Sequence, residues 1–122
     1  MELKTNTLYT APMNSPLPTK HSVYLHSAAD MQHIENGSVD LIITSPPYPM
    51  IAMWDNVFAL QNAQADKALK TGEGQKAFEA MHNSLIRIWA ECYRVLKSGG
   101  FACINIGDAT RTINGRFKLY PN

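Results

Sequence analysis

The sequence predicts an α/β fold in which parallel β-strands are joined by crossover helices. Three observations lead to this prediction. Short apolar runs that end at turn residues alternate with helical segments, in the order β-α-β-(α)-α-β. The apolar run over residues 39–43 stops at two nearby prolines, and an apolar stripe at helical spacing runs through residues 75–97. Strands separated by helices in this way favour parallel pairing.

The elements are delimited by turn residues and by proline. In chain order, the predicted elements are an extended arm (1–20), a strand (22–26), a short helix (28–34), a strand (38–44), a helical segment (55–70), a helix (75–97) and a strand (101–106). The arm precedes a domain that covers residues 21–122. Asn36-Gly37 closes the short helix, and residues 71–74 separate the two longer helical segments. A loop or partial hairpin over residues 109–122 turns at Asn114-Gly115.

The helix over residues 75–97 carries the strongest periodic signal. Its apolar side chains recur every three or four residues and form one stripe, which consists of Phe78, Met81, Leu85, Trp89, Cys92 and Leu96. Ser98-Gly99-Gly100 is expected to end the helix, with a glycine in the left-handed cap conformation. Three strands make a thin sheet, whose apolar faces and open edges are hard to cover within 122 residues. The chain is therefore predicted to be part of a larger doubly wound parallel sheet.

Composition restricts the classes of function. The formal net charge is only +1, so the chain alone is expected to hold a DNA duplex weakly. Its scattered basic residues are interpreted as a solvated surface: Arg87, Arg94, Lys97, Arg111 and Arg116. No apolar run reaches the ~20 residues of a membrane helix and the amino terminus has no secretory signal, which predicts a cytoplasmic protein without membrane contact. Cys92 and Cys103 are predicted to be buried free thiols, and the histidines show no metal-ligand spacing with them, so no metal site is predicted.

The most informative motif is Thr44-Ser45-Pro46-Pro47-Tyr48, directly after the apolar run. Its two prolines stop the strand and fix two successive φ angles at about −65°. A residue before proline is held extended, which applies to Ser45 and Pro46. The result is a stiff hook that carries a hydroxyl, oriented carbonyls and an aromatic ring. It lies at the carboxyl end of a strand, where open α/β sheets bind their ligands.

This motif resembles the catalytic motif of the DNA amino-methyltransferases, whose pattern is Ser/Asp/Asn-Pro-Pro-Tyr/Phe/Trp. The serine form looks like the N4-cytosine branch. Other segments resemble the same family at its spacing: residues 38–43 before the motif, 49–55 after it, 93–100 at a helix-to-strand junction and 105–110 at the next strand end. Preceded by an apolar strand and followed by these segments, the short motif is a strong signal. The resemblance covers most of residues 22–122 and implies a partial Rossmann-like methyltransferase sheet.

The resemblance implies roles for individual residues. Ser45, Pro46, Pro47 and Tyr48 would be catalytic. The Ser45 hydroxyl and the Pro46 carbonyl would accept hydrogen bonds from the exocyclic amino group of a base and aim its lone pair at the methyl group of S-adenosylmethionine. Tyr48 would stack on the flipped base. The other implied roles are cofactor binding by Ser27, Asp30, Thr44 and Asp108, and substrate binding by Tyr48, Trp54 and Asp55.

Structural roles compete with some of these assignments. Trp54 is also explained as a packing residue, and Asp55 as a cap of the following helix. Asp108 is equally explained as a turn residue. These alternatives stay open at the level of sequence.

Two departures from the family pattern shape the functional prediction. The Gly-Asp that the family carries after its first strand here is His26-Ser27, and the Phe-x-Gly-x-Gly loop that holds S-adenosylmethionine does not occur in the sequence. The chain is therefore predicted to be a fragment or split half of an N4-cytosine DNA methyltransferase, inactive alone. Its expected partners are double-stranded DNA, through the complete enzyme, and a complementing C-terminal half or further copies of itself. The alternatives are a non-catalytic oligomerising or DNA-associating remnant of the fold, N6-adenine methylation, and methylation of RNA or a small molecule.

Overall fold

The computed structural model describes residues 19–122. The elements in chain order are β1 (Val39–Thr44), a 3-10 turn (Ala52–Trp54), α1 (Asp55–Gln61), α2 (Ala63–Lys70), α3 (Gly74–Val95), β2 (Leu96–Ile104), β3 (Ala109–Ile113) and β4 (Arg116–Tyr120). The arm predicted over residues 1–20 lies almost entirely outside the described residues. Across residues 19–122, every helix is too short or too polar to cross a membrane.

β1 and β2 form the parallel pair that the sequence predicts. The chain leaves β1 at Thr44, passes through the three helices and returns beside β1, which is the usual way to connect parallel neighbours. The last four residues of β1 pair in order with residues 101–104. This arrangement brings the carboxyl ends of both strands to one edge of the sheet.

The start of β2 contains a register shift, at a segment where the sequence predicts a helix end. Ser98-Gly99-Gly100 lies within β2, so the prediction that it ends the preceding helix was wrong. α3 ends at Val95, and the chain turns extended at Leu96. Gly99 has a left-handed backbone (φ +80°), and a Cβ on Gly100 would lie 3.0 Å from a carbonyl oxygen of β1. The two glycines therefore permit a bulge next to β1 instead of a helix cap.

The strand predicted over residues 22–26 and the helix predicted over residues 28–34 are absent from the described structure. Val23 alone makes an isolated bridge, and the following residues form turns. Asp30 N donates to Ser27 O (3.1 Å), and Ile34 N donates to Met31 O (2.8 Å). A strand needs a neighbour that accepts and donates its backbone hydrogen bonds, and in this segment only residue 23 makes a bridge.

The helices build the core of the described region. α2 and α3 approach closely through small side chains that are at most 4% exposed: Ala65, Ala68, Ala77 and Ala80. The helical segment predicted over residues 55–70 consists of two helices, because Asn62 adopts an extended backbone (φ −146°). Its side-chain oxygen accepts hydrogen bonds from Gln64 N and Ala65 N and so caps α2.

β3 and β4 form an antiparallel hairpin. A partial hairpin was one of the two structures that the sequence predicts for residues 109–122. Asn114 (φ +50°) and Gly115 (φ +71°) make its two-residue turn, in the conformation that matches the twist of the flanking strands. Ala109 and Tyr120 are buried at its far end and join the helical core. The hairpin therefore packs beside the helices and stays separate from the β1–β2 sheet.

One face of the β1–β2 sheet is largely uncovered. Leu41 is 50% exposed and its partner Phe101 is 71% exposed. Ile43 is 75% exposed, and its partner Cys103 is exposed as well, so the prediction of a buried Cys103 thiol was wrong. Cys92 is half-buried in α3, and burial, with the nearby Glu91 charge, raises the pKa of its thiol. An uncovered apolar face is what a sheet of few strands is expected to leave.

Candidate active site

The hook, defined as residues 45–48, begins where β1 ends. Asn105 N donates to Thr44 O (2.9 Å), so the carboxyl ends of β1 and β2 are held together directly before the hook. Pro46 is buried, whereas Ser45 is exposed. Ser45 Oγ lies 3.2 Å from the Tyr48 hydroxyl. The prolines thus fix the backbone against the protein and leave the serine hydroxyl accessible.

The chain leaves the hook through a tight turn. Ile51 N donates to Tyr48 O (3.2 Å), and Met50 at the third position of the turn has φ +67°. Pro49 in the second position and a positive φ in the third are typical of a type II turn, where glycine is the usual third residue. Met50 is nevertheless 1% exposed, and its N–H points at Met81 Sδ (3.3 Å). Burial of the Met50 side chain therefore secures a backbone conformation that methionine rarely adopts.

The loop after β2 packs against the hook. A Cβ on Gly107 would lie 3.4 Å from the Tyr48 ring, so the backbone of residue 107 passes along that ring. Asp108 follows, and its Oδ1 accepts a hydrogen bond from Asn122 N (2.8 Å). Tyr48 thus has its hydroxyl next to Ser45 of its own hook and its ring next to the loop after β2.

The four residues assigned to cofactor binding belong to two different segments of the structure. Thr44 ends β1 and Asp108 lies in the loop after β2, at the carboxyl edge of the sheet. Ser27 and Asp30 belong to a compact set of turns in which Ser27 Oγ accepts from Ala29 N (3.2 Å). Next to Asp30, Met31 is bound to the end of α3 through Arg94. The assignment of all four residues to S-adenosylmethionine stays a prediction.

Arg94 and Glu91 at the end of α3 fasten these turns. The Arg94 guanidinium binds both Glu91 carboxylate oxygens (2.8 Å each) and donates to Met31 O and Ile34 O. Glu91 Oε2 also accepts from Met31 N (2.7 Å). The Arg94 hydrogen bonds, and then the Met31 N–H, lower the pKa of Glu91 to about 2. Arg94 is a structural tie between residues 31–34 and α3, so its interpretation as a solvated surface residue was wrong.

Trp54 and Asp55, which were assigned to substrate, are both engaged within the protein. Trp54 is partly buried and packs against the hydrophobic core. Both Asp55 oxygens accept from the Arg111 guanidinium (2.7 and 2.6 Å), and both side chains are about three-quarters buried. Asp55 raises the pKa of Arg111 further. Arg111 therefore joins β3 to the start of α1, and its interpretation as a solvated residue was wrong.

Two further residues lie at the site without a signal in the sequence. Asn122 contacts the loops after β1 and β2, and His82 of α3 contacts Asn122. Neither belongs to a motif, and only the three-dimensional contact reveals them. Within residues 19–122 no group of three or more His, Cys, Asp or Glu side chains converges to hold a metal ion.

Comparison with known proteins identifies the family to which the chain belongs. A family model described as DNA methylase, of the N6 and N4 type, matches residues 39–120, from the start of β1 to the end of the hairpin. The chain belongs to this family. Its relatives include the type II methyltransferase M.MjaI of Methanocaldococcus jannaschii, which is 44% identical over 121 residues. The type II methyltransferase M.MthZI of Methanothermobacter thermautotrophicus is 42% identical over 107 residues.

Each alignment includes most of this chain but less than half of the relative. The alignments include 90% and 87% of this chain, but only 40% and 30% of the respective relatives. No solved structure matches the chain significantly. The chain thus spans less than half the length of these two curated relatives.

Proposed function

We propose that this chain supplies the amino-group-binding part of an S-adenosylmethionine-dependent DNA methyltransferase. The observation that supports this most directly is the accessible Ser45 hydroxyl on a proline-fixed backbone, next to the Tyr48 ring, at the end of β1. Membership of the DNA methylase family gives the reaction type. The hook is the part of the chain whose chemistry fits that reaction.

The chemical problem in this reaction is the low nucleophilicity of an amino group attached to a base. Its lone pair is delocalised into the ring, and two acceptors aimed at its hydrogens localise that pair on nitrogen. Ser45 Oγ and the Pro46 carbonyl are these acceptors in the proposal. Because the prolines fix the backbone before the base arrives, the acceptors act as pre-aimed dipoles that need no reorganisation.

Tyr48 has two tasks in the proposal. Its ring stacks on the base that has left the duplex, which contributes roughly 1–3 kcal/mol. Its hydroxyl, 3.2 Å from Ser45 Oγ, donates to that oxygen and leaves the remaining lone pair for the incoming amino group. The contact between the Gly107 backbone and the ring limits how far the ring can turn.

In the proposal, residues 19–122 hold only part of the pocket for S-adenosylmethionine. The sequence lacks the Phe-x-Gly-x-Gly loop that holds the cofactor in the family. When it is bound to the complete enzyme, S-adenosylmethionine supplies the methyl group as a sulfonium. We propose that a complementing segment, in the same or a second polypeptide, provides its pocket and covers the apolar face around Ile43 and Phe101.

The target in the proposal is the N4 amino group of cytosine, and the runner-up is the N6 amino group of adenine. Ser45 is neutral, and the serine form of the motif resembles the cytosine branch more than the adenine branch. A second candidate is a non-catalytic, self-associating or DNA-associating remnant of the fold. The uncovered sheet face favours it, since large exposed apolar patches promote association.

A chimera tests the proposal. This chain replaces the matched segment of the Methanocaldococcus relative, and methylated nucleosides are identified by mass spectrometry after incubation with duplex DNA and S-adenosylmethionine. Ser45→Ala should lower the rate by about 10²–10³-fold, as for other single aimed groups. Ser98→Ala, at an exposed serine in the β2 bulge, is the matched control and should leave the rate unchanged.

Each result of the chimera experiment supports a different one of the candidate functions. N4-methylcytosine that depends on Ser45 supports the proposal, and N6-methyladenine that depends on Ser45 supports the runner-up. A folded, DNA-binding chimera without activity supports the non-catalytic remnant. Calorimetric titration of S-adenosylmethionine into the 122-residue chain is expected to show no binding. Micromolar binding would contradict the need for a complementing segment.

A further inference from the structure

The loops that follow β1 and β2 are joined by one side chain. Asn122 Nδ2 donates to Pro49 O (3.2 Å) and to Gly107 O (2.8 Å). These carbonyls belong to the exit of the hook and to the loop after β2, respectively. The backbone N–H of Asn122 is also fixed, because it donates to Asp108 Oδ1. Asn122 therefore makes three hydrogen bonds to the edge of the sheet that carries the hook.

His82 contacts the other end of the Asn122 amide. A carbonyl oxygen can only accept, so the two carbonyl contacts assign the amide nitrogen to that side. The amide oxygen then faces His82 Nε2 at 2.9 Å and must accept from it, which places a proton on Nε2. The Phe78 ring meets the imidazole edge-on (centroids 4.5 Å apart, 74° between planes) and holds its orientation.

Both residues whose carbonyls Asn122 binds are neighbours of Tyr48. Pro49 follows it in the chain, and the backbone of Gly107 passes near its ring, since a Cβ on Gly107 would lie 3.4 Å from that ring. A change in either peptide would move the Tyr48 ring or its hydroxyl, and the hydroxyl touches Ser45 Oγ. A continuous path of contacts thus leads from His82 through Asn122 to the hook.

We propose that Asn122 is a positioning residue for the hook and that His82 orients its amide. Asn122 holds the Pro49 and Gly107 peptides at a fixed separation, and Tyr48 adjoins the first in the chain and the second in space. Neither residue touches the reacting atoms. The catalytic consequence rests on the proposed function, whereas the effect on Tyr48 is a property of the chain itself and is tested separately.

The separate test uses the 122-residue chain labelled with 3-fluorotyrosine and observed by ¹⁹F NMR. The chain has five tyrosines, and the resonance that disappears in Tyr48→Phe belongs to Tyr48. Asn122→Ala should shift or broaden the Tyr48 resonance by more than its native linewidth. Asn83→Ala, at the exposed asparagine next to His82 on α3, is the matched control and should leave it in place.

A pair of variants at His82 keeps the test decisive if Asn122→Ala fails to fold. His82→Gln retains an N–H donor within reach of the Asn122 oxygen, and His82→Leu removes it while keeping similar bulk. The leucine variant should disturb the Tyr48 resonance, and the glutamine variant should restore a native-like one. Equal spectra for both variants, or a native spectrum for folded Asn122→Ala, would overturn the proposal.

The chimera described above then tests the catalytic consequence. Asn122→Ala should lower kcat by about tenfold or more and change KM little, since misplacement of a positioned group costs rate. If the chimera shows no methylation at all, the proposed function fails, while the ¹⁹F result still decides the role of Asn122. If kcat stays native although the Tyr48 resonance moves, Asn122 is a structural residue and the positioning role is refuted.

Discussion

The ion pair between Asp55 and Arg111 provides the sharpest test of how the hairpin is attached. Arg111 of β3 contacts both carboxylate oxygens of Asp55 at the start of α1, and 56 residues separate the two. Their side chains are 21% and 24% exposed. Removal of either partner should loosen the hairpin from the segment that directly follows the hook.

The expected magnitude lies between two limits. Exposed ion pairs contribute about 0–1 kcal/mol, and removal of one partner of a fully buried pair costs about 3–5 kcal/mol. The Asp55–Arg111 pair is mostly buried and bidentate, but each side chain still reaches water. Its coupling energy in a double-mutant cycle should therefore be about 1–2 kcal/mol. Asp55→Ala should cost slightly more than Arg111→Ala, because an acidic residue in the first helical turn adds about 0.3–1 kcal/mol.

The chain contains a matched control for this cycle. Lys97 and Asp40 are 57 residues apart and also form an ion pair (2.7 Å), but their side chains are 47% and 80% exposed and the contact is single. The loop that each pair closes is almost equally long, so burial and geometry are the remaining differences. The coupling of the control pair should stay below about 1 kcal/mol.

Urea denaturation followed by circular dichroism measures both cycles in the 122-residue chain. Additional salt should weaken the coupling of Lys97 and Asp40 more strongly, because exposed charges are screened more than buried ones. A coupling for Lys97–Asp40 that equals or exceeds the coupling for Asp55–Arg111 would refute the argument from burial and bidentate geometry.

Three further predictions concern the segments around the sheet. Arg94→Lys should speed amide hydrogen exchange of residues 31–38, because lysine cannot reproduce the forked contacts of the guanidinium, and exchange measured by mass spectrometry checks this. Glu91 has a depressed pKa, so its stabilising contribution is complete above pH 4.5 and is lost as the pH falls toward about 2. Over that range the urea midpoint of the native chain should fall relative to that of Glu91→Gln, and equal pH profiles would contradict the assignment. Met50→Ala should cost about 2–5 kcal/mol through lost burial, and Met50→Gly should be more stable than the alanine variant by about 1 kcal/mol because glycine tolerates φ +67°. Thermal unfolding ranks these two variants, and the reverse order would mean that the turn carries no strain.

The parts of the fold that the sequence predicted correctly are those with strong local signals. β1 is an apolar run that proline terminates, so its carboxyl end and the following hook could be placed at once. α3 has a continuous apolar stripe, and its buried residues Met81 and Leu85 are members of that stripe. The Asn114-Gly115 turn is fixed by backbone preference alone. Each of these features depends on neighbours in the chain.

The features that were missed depend on residues far apart in the chain. Arg94 and Arg111 look alike in the sequence as scattered basic residues, and both form paired contacts that only the fold creates. Residues 22–34 have the pattern of a strand and a helix, but the structure places one isolated bridge, at residue 23, and turns there. Local propensity is overruled where the required partner is a distant or absent segment.

The position of the hook shows why its local stiffness is insufficient for its proposed role. Two prolines fix the backbone up to Pro47, but the Tyr48 ring lies next to the Gly107 loop, which Asn122 binds in turn. Gly107 and Asn122 come 59 and 74 residues after Tyr48 in the chain. The parallel pairing of β2 with β1 brings the Gly107 loop to the edge of the sheet that carries the hook. A substitution that shifts the β1–β2 register should consequently disturb Tyr48 even when residues 45–48 are unchanged.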